Sequence, residues 1–149
     1  MAIPADRRPV GFWLKLVDRL IDARLDASLG DLSRRHWQVL NVVQQGPANQ
    51  TEIDARIRPF LDAEGTTARE AADLRERGWI TGTVPLELTE RGTQEFQRLL
   101  MLVSADRKHL MVGIAPEEYA STVSVLERMA RNFGWVPLES SQGSSREEK

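Results

Sequence analysis

The chain has 149 residues, of which 41% are hydrophobic and 28% charged, a composition that suits one globular domain with a sizeable core. It contains no cysteine, which excludes disulfides, thiolate zinc sites and thiol redox sensing. The formal net charge is −2, so the protein cannot hold nucleic acid through bulk basicity, and any such contact has to rest on a local patch.

No apolar run approaches the ~18 residues that would predict a membrane span. The N-terminal "MAIPADRRPV" has arginines but no apolar signal core after them, so a cytoplasmic protein is expected. Residues 1–9 read as a flexible arm, with Pro9 placed where a helix can begin. From Val10 to about Leu29 the apolar residues Trp13, Leu14, Leu16, Val17, Leu20, Ile21 and Leu25 recur at helical spacing, and Gly30 stops the run. Ser33 is a good N-cap for a second helix, "SRRHWQVLNVVQQG", with Trp37, Leu40 and Val43 as its inner stripe. Asn49 and Glu52 offer a capping box for a third helix carrying Ile53 and Ile57, which Pro59 ends. After the connection "PFLDAEG", Thr66 or Thr67 caps a fourth helix that runs to about Arg77, with Gly78 beyond it.

"WITGT" and "LELT" read as two short strands around Val84-Pro85. Thr89 caps a long fifth helix through Phe96, Leu99, Val103 and Leu110, broken near Gly113. The sixth helix, in "APEEYASTVSVLERMARNFG", spaces Tyr119, Val123, Leu126, Met129 and Phe133 by threes and fours. Residues 135–149 have little apolar content and read as a disordered tail. The expected fold class is mainly α with a small β-hairpin. A winged helix-turn-helix unit spans residues 33–89, inside a single domain over 10–134. Residues 10–32 and 90–134 supply N- and C-terminal helices around it. Leu99 to Val103 are apolar in unbroken succession, which a helix wetted on one side should not be. Either the outer helices pack on each other, or they also cover a second copy. A two-fold homodimer would set two reading helices about one DNA turn, ~34 Å, apart.

At this point the residues resemble a family. "LSRRHWQVLNVV" is similar to the second-helix motif of the MarR family of bacterial regulators, "TTAREAADLRERGWI" to its recognition helix, and "LELTERG" to its step from wing to fifth helix. The resemblance covers about residues 10–134 and rests on the order and spacing of the motifs. It implies a dimeric, DNA-binding transcriptional regulator, expected to be a repressor that reads a palindromic operator through the fourth helix. It also implies a small aromatic effector bound near the junction of the outer helices and the winged unit. The wing departs from the family pattern. Its tip, "TGTVPLE", carries no arginine, and the connection "RPFLDAEG" is several residues longer than usual.

Thr66, Thr67 and Arg69 are the leading DNA-contact candidates. A helix N-terminus attracts phosphate, and an arginine there can reach a guanine edge. In register, Arg69 falls where the family commonly has a DNA-contacting arginine. Each has a plainer reading: the threonines cap the helix, and Arg69 pairs with Asp73 four residues on. Thr51 stands at the start of the third helix, which in this architecture meets a phosphate, and Arg56 and Arg58 are auxiliary phosphate contacts. From Asp54 to Gly78 five arginines face six acids, a weak platform unless the acids turn inward. Trp13, Arg35 and His36 form the candidate ligand set, the cations to hold a carboxylate. The two histidines are far apart, no carboxylates cluster like metal ligands, and no phosphate loop or nucleophile motif is present, so neither enzyme activity, metal nor cofactor is expected. The alternative function is a winged-helix protein that has lost DNA binding and acts through protein–protein contacts.

Overall fold

Side-chain caps and glycines set the element boundaries in the computed structural model, which describes residues 7–137. The elements are α1 (Val10–Leu29), α2 (Arg34–Gln45), α3 (Gln50–Arg56), a 3-10 turn (Arg58–Phe60), α4 (Ala68–Glu76), β1 (Ile80–Gly82), β2 (Leu86–Leu88), α5 (Glu90–Leu110) and α6 (Pro116–Asn132). They follow the expected order, and the strands are shorter than their sequence signals. The first six residues of the expected arm, and the tail beyond residue 137, lie outside the described residues. The chain divides into two compact units, Met1–Leu110 and Met111–Lys149.

The Ser33 side chain accepts from the His36 backbone N–H, and the His36 ring accepts from the Ser33 N–H, so histidine takes the reciprocal place usually held by Glu or Gln. At α3 the Asn49 side chain accepts from the Glu52 N–H at 2.9 Å, which is half of the expected box. Thr89 caps α5 by accepting from the Gly92 N–H at 2.9 Å, while its own hydroxyl donates to the Gly78 carbonyl at 2.6 Å. That pair of bonds ties the end of the hairpin to the end of α4.

The core of the first unit is built from Leu25, Leu29, Val39, Leu40, Val43, Ile53, Leu74, Ile80, Leu86, Phe96 and Leu99, with one or more residues from each named helix of that unit and from both strands. Trp37 is half-buried and lies flat on Phe96, ring centroids 5.1 Å apart, so its role is core packing. The strands pair antiparallel, Ile80 with Leu88 and Gly82 with Leu86. Leu86 also exchanges two backbone hydrogen bonds with Ala48, at 2.9 and 3.1 Å. The turn between α2 and α3 thus acts as a third, one-residue strand that anchors the wing. On the far side Arg24 and Ser28 of α1 both bond Asp106 of α5, at 2.8 and 2.5 Å. The Ser28 hydrogen bond, aided by Arg24, holds the Asp106 carboxyl below its ordinary range against the opposing effect of burial.

The apolar run in α5 is covered on one side only. Leu99 is buried, whereas Leu100, Met101 and Leu102 are exposed, Met101 to 76%. The first half of α1 exposes Val10, Phe12, Trp13, Leu14, Val17 and Leu20. In the second unit, α6 buries no residue and exposes Tyr119, Val123, Val125 and Met129, with Phe133 just beyond it 99% exposed. Among the described residues no helix is long and apolar enough to cross a membrane.

Gly92 shows how tightly the wing abuts α5. A β-carbon there would fall inside contact distance of the Trp79 carbonyl, which is backbone and cannot rotate away. Gly92→Ala is expected to lower the unfolding free energy by about 1–3 kcal/mol, the usual range for overpacking, seen as a fall in the urea midpoint.

Candidate nucleic-acid interface

Ala71 and Leu74 of α4 are buried, as is Thr67 at its N-cap position. At about 100° per residue these three share one face, and Arg69 stands opposite its centre. Arg69 is exposed. The pairing with Asp73 does not form, because Asp73 is engaged elsewhere. His36 Nε2 lies 2.9 Å from one Asp73 oxygen, and the Arg77 Nε donates to the same oxygen at 2.9 Å. Arg77 also donates to Asp31 at 2.7 Å and lies over the Trp79 ring. Its hydrogen bond and its charge hold Asp31 below the ordinary carboxylate range.

The first turn of α4 is fixed from beneath. Asp54, buried in α3, accepts three hydrogen bonds on a single oxygen: from the Thr67 N–H at 2.9 Å, the Thr67 hydroxyl at 2.7 Å and Gln50 Nε2 at 3.0 Å. Thr67 is 0% exposed, which removes it from the expected contact set. Its hydroxyl faces α3 because a buried carboxylate needs donors there, and no bond from that side chain caps α4. Thr66 is exposed and its hydroxyl oxygen accepts from the Ala68 N–H at 3.2 Å, so it is the local capping side chain.

The acids that outnumber the arginines in this stretch do not all face outward. Asp54 is buried, Asp73 is turned to His36 and Arg77, and one Glu70 carboxylate oxygen is buried without a partner. Thr51, Arg56 and Arg58 are exposed. Arg58 donates to the Gly65 carbonyl at 2.9 Å, and Arg56 makes a long 3.5 Å contact with Gln45. Arg58 therefore also braces the connection into α4. That connection is held at its other end by α2. The Arg34 guanidinium lies over the Phe60 ring at 4.9 Å and bonds Asp18 and Asp22 of α1, at 2.7 and 3.0 Å, while Arg35 donates to the Phe60 carbonyl at 3.0 Å.

The expected ligand set does not assemble. The Ser33 N–H is a donor, so His36 Nδ1 must accept, and the ring proton sits on Nε2 and points at Asp73. Both ring nitrogens are thus engaged within the fold. Arg35 supports Phe60, and Trp13 packs edge-on against its neighbour Phe12 on the exposed face of α1. A shallow depression on α6 is lined by Val125, Arg128, Met129, Arg131 and Asn132, none of which belongs to that set. Among the described residues no cluster of potential metal ligands is present.

The wing offers no cation of its own. Its exposed residues are Thr81, Gly82, Thr83, Val84, Pro85 and Glu87. Arg75, which stands outside the expected contact set, donates through Nη2 to the Gly82 carbonyl at 2.7 Å. That contact is tertiary, since nothing in the local pattern brings α4 and the hairpin tip together.

A helix-turn-helix with an appended hairpin, framed by long helices, defines the winged-helix class. Comparison with solved structures narrows this: the chain has the fold of the MarR-type transcriptional regulators. It is similar to CouR from Rhodococcus jostii RHA1 bound to p-coumaroyl-CoA, with a TM-score of 0.76 at 21% identity over 91% of this chain and 100% of that one. A MarR family regulator from Rhodococcus sp. RHA1 matches with a TM-score of 0.71 at 20% identity, over 87% of this chain and 98% of that one. A MarR family protein of Mycobacterium tuberculosis in complex with DNA matches with a TM-score of 0.64 at 18% identity, over 86% of this chain and 99% of that one. No family model matches the sequence.

Replacing Asp54 tests how the start of α4 is held. Asp54→Ala strands the buried Thr67 N–H and leaves the Thr67 hydroxyl only its bond from Gln50, and is expected to cost about 1–3 kcal/mol for the unpaired donor. Asp54→Asn keeps the one accepting oxygen and should lose markedly less in the same urea titration.

Proposed function

We propose that the protein is a homodimeric, DNA-binding transcriptional regulator, a repressor that reads a palindromic operator with α4. The observation that carries this reading is Arg69. It is exposed opposite the buried face of α4, makes no ion pair among the described residues, and sits within the first turn of a helix whose start is fixed by a buried carboxylate. An arginine so presented suits bidentate reading of guanine in the major groove. Thr66 and Thr51 suit hydrogen bonding to the backbone alongside, with Arg56 and Arg58 as neighbouring phosphate contacts. The MarR-type fold and its DNA-bound relative support the same assignment.

The dimer follows from the outer helices. The apolar residues exposed on α1, α5 and α6 are too many for a surface meant only for water. A second copy of the chain covers them and sets two α4 helices at successive turns of the groove. The effector is a small aromatic acid or its conjugate, a class supported by the p-coumaroyl-CoA bound to CouR. It acts by binding the arrangement of the two heads that does not fit the operator, which draws the population away from DNA. The alternative, function through protein contact alone, keeps one support in the cation-free wing. Its other support weakens, because several acids face away from the α4 crest.

Sedimentation of the purified chain is expected to give a dimer at micromolar concentration, and a monomer would overturn the operator geometry. Selection from a random-sequence duplex library should enrich a palindrome. On that duplex Arg69→Ala is expected to lose about 1–3 kcal/mol of specific binding in a gel-shift titration. Unchanged affinity would take Arg69 out of the interface.

A further inference from the structure

The flanks of α4 differ in charge. Taking Arg69 as the crest, one flank carries Glu70, Asp73 and Arg77 and turns toward α2 and Asp31, where the last two are paired. The other flank carries Ala68, Ala72 and Arg75 and turns toward the hairpin, where Arg75 meets Gly82. The hairpin-side flank also holds Glu76, exposed about 20° from Arg69 beside the crest, so Arg75 is the one cation of that flank. The wing itself contributes only Glu87, on the outward face with its cross-strand partner Thr81.

We propose that Arg75 serves as the wing's cation: anchored to the Gly82 carbonyl, it contacts a DNA phosphate in the gap between the reading helix and the hairpin. This rests on the DNA-binding reading above and extends it to a residue outside the expected contact set. A guanidinium has five N–H donors in a fixed fork. The 2.7 Å bond to Gly82 fixes its position and leaves donors of that fork for an anion. Arg75 is exposed and has no carboxylate partner among the described ion pairs, so its charge is not already neutralised. Small neighbours at Ala68 and Ala72 leave the approach open. The device supplies from α4 the charge that the hairpin lacks, and it makes the wing's position and the phosphate contact depend on the same side chain.

The test separates charge from anchoring. Binding of the intact protein to a mixed-sequence duplex is measured across a salt series for wild type, Arg75→Lys, Arg75→Gln and Arg75→Ala. Each phosphate neutralised adds about 0.9 to the slope of log affinity against log salt. Arg75→Gln and Arg75→Ala, which both remove the charge, are each expected to flatten the slope by about one per subunit engaged, while Arg75→Lys keeps it. A wild-type slope in Arg75→Gln overturns the proposal, as does a weakened Arg75→Ala with an unchanged slope, since either result leaves Arg75 as a strut for the hairpin. Wild-type protein that binds no duplex at any salt would instead overturn the DNA-binding reading on which this one stands.

Discussion

One buried oxygen of Asp54 organises the helix-turn-helix. It gathers the backbone and hydroxyl donors of Thr67 and the amide of Gln50, joining α3 to the first turn of α4. A buried carboxylate is costly unless satisfied, so this geometry has little freedom to drift. Everything that α4 presents is referred to that point. The crest at Arg69 is set by it, because the helix cannot rotate without breaking those bonds or exposing Leu74. Thr89 and Gly92 then lock the hairpin between α4 and α5, and the Ala48–Leu86 bridge closes the wing onto the α2–α3 turn.

The elements were legible in the sequence because their boundaries are local chemistry. Ser33, Asn49 and Thr89 cap as their types predict, and Gly30, Gly46 and Gly78 take positive φ where helices end. The direction in which polar residues face was not legible. A threonine at a helix start reads as an exposed cap, yet Thr67 turns inward because its partner, Asp54, comes from another helix. A count of acids against arginines cannot see that Asp54 and Asp73 are already engaged. His36 read as a ligand-binding imidazole for the same reason, since its donor is local but its acceptor, Asp73, lies 37 residues away.

The outer helices carry a different kind of information. Unbroken apolar succession in α5 was visible in the sequence, and the fold resolves it into a buried Leu99 and an uncovered Leu100 to Leu102. The surface left over is apolar and uncovered within the chain. The wing carries no cation of its own, and Arg75 reaches it from α4 through the Gly82 carbonyl.

Arg34 joins parts of the molecule that the chain itself separates by tens of residues. Two carboxylates of α1 grip its guanidinium, and the plane of that same group covers Phe60 on the way into α4. The first helix and the entry to α4 are therefore linked through one side chain. A slide of α1 must either drag Phe60 with it or strip a cation from its counter-ions and its aromatic bed together.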